Sequence, residues 1–453
     1  MPVRPLQPPT LAHRLNTMPL TLLHLLLFAV LGLGLLFDQM EASMTGVLAA
    51  VFTEPGSAVS RYELSSMMTV YYAVAAIGAP AMGIVADRFG RRLALAMTLA
   101  GFGLLTMASL AMPTFTGFAV FRVISSFTLS AVPPLVFSYM ADVFPPAVRG
   151  TAMMLISVLA GIGGAMAPMA THWGNEAELG GIEGWQFAML VAAAAGVVLG
   201  AVMLLMPESP RWLSSRGRTD EAELAAGRFE ASRPWTVRPA APVPALDRSS
   251  TVAQTPDTHL ATLGHHRARL VFIVVILFLQ ASGLTGFALL LTKALLMKGV
   301  AMQSALAQSS LILMMMPVGV IACTFVTDRI GRRTLFTGLG AALGVSALIF
   351  GAAPIGILLL GSGLAFSFFM SAFTSSGQIY AAEMFPTAIR SSAVGIGYIG
   401  VRAGSAVVPL LLLPLLLDHG PMAAFGVIAA LLFASAAIAR LFGPAIMPRT
   451  QLS

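Results

Sequence analysis

Runs of mainly apolar residues, each long enough to form a helix of about 20 residues, recur along the whole chain, and such a helix crosses the roughly 30 Å of a bilayer's hydrocarbon. Backbone N–H and C=O groups cannot stay unbonded in lipid, so each run is predicted as a transmembrane helix. Twelve are predicted, over about 20–50, 63–86, 93–112, 115–141, 149–173, 184–206, 268–293, 303–327, 334–351, 353–382, 391–417 and 420–442. Only 10% of residues are charged, against roughly 25% in a soluble domain. That excludes a water-soluble enzyme, a nucleic-acid binder and a disordered scaffold. The single cysteine, Cys323, excludes a disulfide framework and a thiolate cluster, and no metal or cofactor is expected.

The expected fold is an all-α membrane protein of twelve helices. Residues 1–206 and 268–453 each supply six spans, and the polar, proline-bearing stretch 207–267 joins them as a loop with a short helical start. Lysine and arginine concentrate on one side of the predicted membrane. Only Arg61, Lys293 and Lys298 fall near the other side, and Arg122 and Arg402 fall inside spans. The bias places both termini in the cytoplasm and the chain in a plasma membrane, the inner one in a bacterium.

Two segments recur in one register. Asp87-Arg88-Phe89-Gly90-Arg91-Arg92, preceded by Gly83, is echoed by Asp328-Arg329-Ile330-Gly331-Arg332-Arg333. Asp142-Val143-Phe144-Pro145, ending at Arg149, is echoed by Glu383-Met384-Phe385-Pro386, ending at Arg390. The offsets, 328 − 87 and 383 − 142, are both 241, which predicts a duplication of six spans and a binding site between two pseudo-symmetric bundles. On these residues the chain resembles the major facilitator superfamily over essentially its whole length. The glycines permit tight turns, the acids can cap helix starts, and the arginines can pair with Asp142 and Glu383. These groups are therefore expected to tie the halves together on the cytoplasmic face and to gate the cavity.

Pro207-Glu208-Ser209-Pro210-Arg211-Trp212-Leu213 resembles a signature of sugar porters and organic-ion transporters, which adds Glu208 and Arg211 to the gate. The sugar-binding stretch of span 7 is incomplete: Leu279 and Thr285 stand where sugar porters carry glutamine and asparagine, leaving Gln280 and Ser282. Phe37-Asp38-Gln39-Met40-Glu41 is similar to a span 1 stretch of aromatic-acid proton symporters.

Charges at membrane depth are costly, and by default they are functional. Asp38 and Glu41 share one helix face, and counting inward from the span ends puts Asp38 and Arg122 at similar depth, so these two are expected to meet. Arg122 resembles the span 4 arginine that partners a span 1 aspartate in proton-coupled sugar porters, and the trio is assigned to proton coupling. Arg402 lacks an acid in its own half. It is assigned to a substrate anion, with Glu41 across the cavity as the competing partner. Gln39, Gln280, Ser282, Thr285, Gln378 and Tyr398 are the other candidate substrate contacts.

The reading is a transporter working by alternating access as a monomer in the lipid bilayer, a proton symporter of a small organic acid, aromatic acids included. The alternatives are a proton-driven exporter of drugs or organic cations, a sugar porter, and a transporter-like solute sensor. No nucleic-acid partner and no enzymatic motif are expected.

Overall fold

The computed structural model describes residues 10–54, 56–177, 181–233, 267–327, 330–385 and 390–444, without the side chains at 147, 324–327, 379, 382–383 and 390–395. It is all-helical, with no strand among the described residues. Spans 1 to 6 are Leu22–Val51, Arg61–Phe89, Arg91–Leu110, a broken fourth (Phe115–Leu129 and Val132–Val143), Pro146–Glu176 and Gly184–Leu205. Spans 7 to 10 are Arg267–Met297, a broken eighth (Met302–Leu313 and Met315–Thr327), Arg332–Ala352 and Ile357–Glu383. The last helix, Arg390–Phe442, holds two spans, because Gly420 inside it takes φ +83° and turns the chain. Twelve crossings result, and both ends of the chain emerge on one side, called here the terminal face.

Spans 4 and 8 break for local reasons. Pro133 and Pro134 follow the fourth span's interruption, and Pro317 follows the eighth's, each withholding an N–H that the helix ladder needs. The freed carbonyl groups are held inside the bundle, which is where such backbone is tolerated.

Glycines set how closely the spans approach. A Cβ on Gly78 of span 2 would lie 2.1 Å from the Phe127 carbonyl oxygen of span 4, and one on Gly163 of span 5 would lie 1.9 Å from that of Leu36 in span 1. Both obstacles are backbone, so no side chain can yield. Gly78→Ala is expected to cost about 1–3 kcal/mol of stability, while Gly426→Ala, with nothing within 4 Å, is expected to be neutral or slightly stabilising. Thermal unfolding of the two purified variants checks this, and equal midpoints would contradict the tight span 2–span 4 contact.

The halves meet on the face opposite the termini and at mid-depth. Arg61 pairs with Asp418 at 2.8 Å, Lys293 Nζ donates to the Thr53 carbonyl at 2.8 Å, and His172 Nδ1 lies 2.8 Å from Gln303 Oε1. Deeper in, Ser310 Oγ donates to the Ala165 carbonyl at 2.8 Å, and Gly46 lets span 1 close on the span 7 backbone at Ala288. The cleft between them is sealed on the far side.

The terminal face carries three short helices, Leu11–Thr17, Pro210–Ser215 and Thr219–Ala231. Arg14 bridges Glu223 and Glu230 at 2.5 and 2.7 Å, and Arg211 donates to Asn16 at 2.7 Å, so the N-terminal helix is bound to the two that follow span 6. The neighbouring glutamates hold the Arg14 pKa above its ordinary value, mainly through these hydrogen bonds.

Candidate functional site

A cavity of about 310 Å³ lies between the halves. Spans 1 and 2 contribute Gln39, Ser43 and Tyr72, span 7 contributes Gln280 and Thr285, span 10 contributes Thr374 and Gln378, and span 11 contributes Tyr398 and Ser405. Leu277, Leu284, Met316 and Met370 make up much of the apolar wall. Among the described residues no charged side chain lines it. Thr285 and Ser405 hydroxyls sit 2.9 Å apart and tie span 7 to span 11, while Gln280 Nε2 donates to the Phe373 carbonyl at 2.8 Å. Amides, hydroxyls and phenols set among aliphatic walls suit a small planar solute with a few polar edges.

Five of the seven sequence-predicted contacts line this cavity: Gln39, Gln280, Thr285, Gln378 and Tyr398. Ser282 does not. It is 4% exposed and its hydroxyl donates to the Phe278 carbonyl at 2.8 Å, within its own helix. Arg402 does not line it either, although its neighbours Val401 and Ser405 do. Tyr72, Ser43, Thr374 and Ser405 line the cavity without having been predicted as contacts. A polar side chain on an apolar helix was the available signal, but it does not separate cavity walls from helix–helix hydrogen bonds.

The buried charges are arranged differently from the expectation. Arg122 pairs with Glu41, not Asp38; the two are 2% and 0% exposed at their side chains. The guanidinium also lies over the Tyr71 ring, 5.1 Å from its centroid, as a cation–π contact. Asp38, one turn earlier on span 1 and 8% exposed, makes no ion pair with Arg122. Residues three apart on a helix point about 60° apart, and that rotation sends Glu41 into the first half and Asp38 towards the junction. Glu41 is therefore not the partner of Arg402.

Arg402 reaches from span 11 into the first half, where its Nη2 donates to the Ser130 carbonyl at 3.4 Å. That carbonyl is free because residue i+4 is Pro134, which has no N–H to give it. Arg402 Nε is buried without a hydrogen-bond partner. Tyr71 and Tyr72 of span 2 pack edge to face with ring centroids 5.4 Å apart, and Tyr72 lines the cavity. Asp38 on span 1 and Arg402 on span 11 are thus charged groups from opposite halves, each next in sequence to a residue that lines the cavity.

Predicted gate residues of the first half are brought together with one another. Arg91 pairs with Asp87 at 3.0 Å and with Asp142 at 3.5 Å. The cap on span 3 is supplied by Glu208, not by Asp87: its carboxylate accepts from the Arg91 and Arg92 amides at 3.0 and 3.2 Å, and from Ser209 N at 2.9 Å. Gly90, at φ +109°, leaves room for that carboxylate, since a Cβ there would stand 2.2 Å from it. Burial pushes the Glu208 pKa up, and the three amides and the Arg92 charge oppose that rise. Ser209 Oγ donates to Asp142 at 2.9 Å. Arg149 caps the Phe144 carbonyl at 3.0 Å, Arg88 lies over the Phe89 ring, and Gly83 faces open space. The expected tie across the halves, which involves Asp328, Arg329, Glu383 and Arg390, falls outside the described residues. In the second half, Gly331 caps span 9, Arg332 is buried and Arg333 reaches the Gly443 carbonyl at 3.4 Å. Asp328, Arg329 and the side chains of Glu383 and Arg390 lie outside the described residues.

Comparison with known proteins is consistent along the whole chain. The family model described as "Sugar (and other) transporter" matches residues 26–451. The niacin transporter of Acinetobacter baylyi is 25% identical over 415 residues, 90% of this chain and 91% of that protein. The arabinose-proton symporter of Bacillus subtilis is 23% identical over 400 residues, 84% of each chain. A solved structure of the xylose transporter XylE from E. coli, partially occluded and inward open, superposes with a TM-score of 0.70 at 19% identity, covering 92% of this chain and 97% of that one.

Proposed function

Because the chain belongs to the sugar (and other) transporter family, whose members are multi-pass membrane transporters and not enzymes, we propose that it is a proton-coupled symporter of a small aromatic carboxylic acid. The observation that carries this reading is a buried acid, Asp38, and an arginine, Arg402, contributed by opposite halves beside an amide- and hydroxyl-lined cavity, the arginine keeping its Nε without a hydrogen-bond partner. A carboxylate in such a place changes its charge state when its cation moves, and a guanidinium released from it presents a planar fork to a substrate carboxylate. The similarity to a niacin transporter supports an aromatic acid, and that to an arabinose-proton symporter supports proton coupling.

The scheme has three steps. With Asp38 charged, its field favours Arg402 staying against the first half, where it donates to the Ser130 carbonyl. Protonation of Asp38 weakens that hold and frees Arg402 for an incoming acid. Loss of the proton and the acid on the other side restores the pair. The far-side contacts Arg61–Asp418, Lys293–Thr53 and His172–Gln303 close the cavity in the conformation described here, and with the termini cytoplasmic this is the inward-facing state. Reorientation then breaks these far-side contacts and brings the halves together at the cytoplasmic face, with Arg91, Asp142 and Glu208 keeping the first half rigid.

A sugar is the second reading, favoured by the uncharged side chains that line the cavity among the described residues. Proteoliposomes holding the purified protein separate the two. With an acidic exterior, labelled nicotinate is expected to accumulate severalfold above the level reached with a protonophore, and labelled arabinose is not. Arabinose accumulation without nicotinate accumulation would replace the first reading by the second.

A further inference from the structure

We propose that the terminal face of the first half carries a binding site for one anionic phospholipid headgroup, in the notch where helix Thr219–Ala231 leans over the ends of spans 2, 3 and 6. The site is independent of the transport reading. The notch has a volume of about 230 Å³, large enough for a phosphodiester, and three arginines line it: Arg92, Arg218 and Arg228.

Two acids also line it, and both are already engaged. Glu208 accepts from the Arg91, Arg92 and Ser209 amides, and Glu221 takes a two-pronged contact from Arg218 at 2.7 and 2.6 Å. Arg218, paired with Glu221, lies over the Trp212 ring at 5.9 Å, so the free positive charge comes from the other two cations. Arg92 donates to the Met206 carbonyl at 3.5 Å and its Nε is buried with no hydrogen-bond partner, and Arg228 donates to the Leu205 carbonyl at 3.1 Å, so neither is paired with a carboxylate by an ion pair.

The surroundings of the notch identify the occupant as a lipid. Phe89 is 56% exposed, Leu205 69% and Leu224 71%, on three separate elements around the same arginines. Phe89 and Leu205 end spans 2 and 6, at the level where hydrocarbon gives way to headgroups. A soluble phosphate would satisfy the guanidinium groups and leave these side chains in water. A phospholipid answers both, with its phosphate in the notch and its acyl chains against the apolar rim.

Native mass spectrometry of the full-length protein in detergent tests this, with palmitoyl-oleoyl phosphatidylglycerol, the matching phosphatidylcholine and inorganic phosphate as the probes. The wild type is expected to retain one phosphatidylglycerol in preference to phosphatidylcholine. Arg228→Gln and Arg92→Gln are each expected to weaken that retention about fivefold. Leu224→Asp, at an exposed position, is expected to weaken it without lowering the unfolding midpoint. Arg440→Gln, on the other half, is expected to leave it unchanged. Equal retention in all four variants would overturn the site, and displacement of the lipid by millimolar phosphate would assign the notch to free anions.

Discussion

Arg122→Ala is expected to destabilise the folded protein by about 3–5 kcal/mol, the largest stability loss of any single polar substitution in the first half. The reason lies in what remains. Glu41 is completely buried, and the structure gives neither of its carboxylate oxygens a hydrogen bond; the Arg122 guanidinium is its counter-charge. Without it, the carboxylate must either stay charged in an apolar interior or take up a proton, and both cost free energy. Tyr71 would also lose the cation over its ring. The paired change Glu41→Leu with Arg122→Met removes both charges and fills the volume with apolar atoms, and it is expected to recover most of the loss. Unfolding midpoints of the two singles and the double, measured in one detergent, give the coupling. If Arg122→Ala unfolds like the wild type, the pair does not carry the charge described. A fully recovered double with no transport would separate the pair's role in coupling from its role in stability.

That pair also shows where sequence reading stops. Transmembrane spans are legible because lipid imposes one composition over a fixed length, and the duplication is legible because two motifs recur in one register. Depth along a span is legible too, since each residue rises a constant distance. Rotation about the helix axis is not. Asp38 and Glu41 are close enough in sequence to share a face, yet they enter different clusters, and which one meets Arg122 depends on how spans 1, 2 and 4 pack. Gly78 and Gly163 set that packing through contacts between backbones, and nothing in the sequence names the partner backbone. The placement of Arg402 was hidden for a related reason. Its acceptor is a carbonyl group, which every residue has, and only the offset from Ser130 to Pro134 marks that one as free. Ser282 and Ser405 illustrate the same limit at the cavity. Both are small hydroxyl residues on apolar helices, but one turns back to its own helix and the other faces the cleft.

Asp38→Asn is expected to abolish uphill accumulation driven by a proton gradient, a loss of at least about tenfold in the steady-state level, while exchange of labelled for unlabelled solute persists at a reduced rate. Asparagine keeps the size of the side chain and its capacity to hydrogen-bond, but it presents Arg402 with no charge at any pH. The cycle then lacks the step in which losing a proton re-forms the attraction between spans 1 and 11. Exchange does not need that step, since it requires only that the loaded protein reorient. Counterflow and gradient-driven uptake, measured on the same proteoliposomes, therefore discriminate between a coupling residue and a structural one: a structural defect lowers both together, and a coupling defect lowers only the second. Arg402→Ala is expected to behave differently, weakening uptake of acids more than that of neutral analogues, because it removes the fork that would receive the carboxylate. If Asp38→Asn accumulates solute like the wild type, the proton is carried elsewhere. Glu41 then becomes the group to test, since it is the other buried acid on span 1 and already holds a cation of its own half.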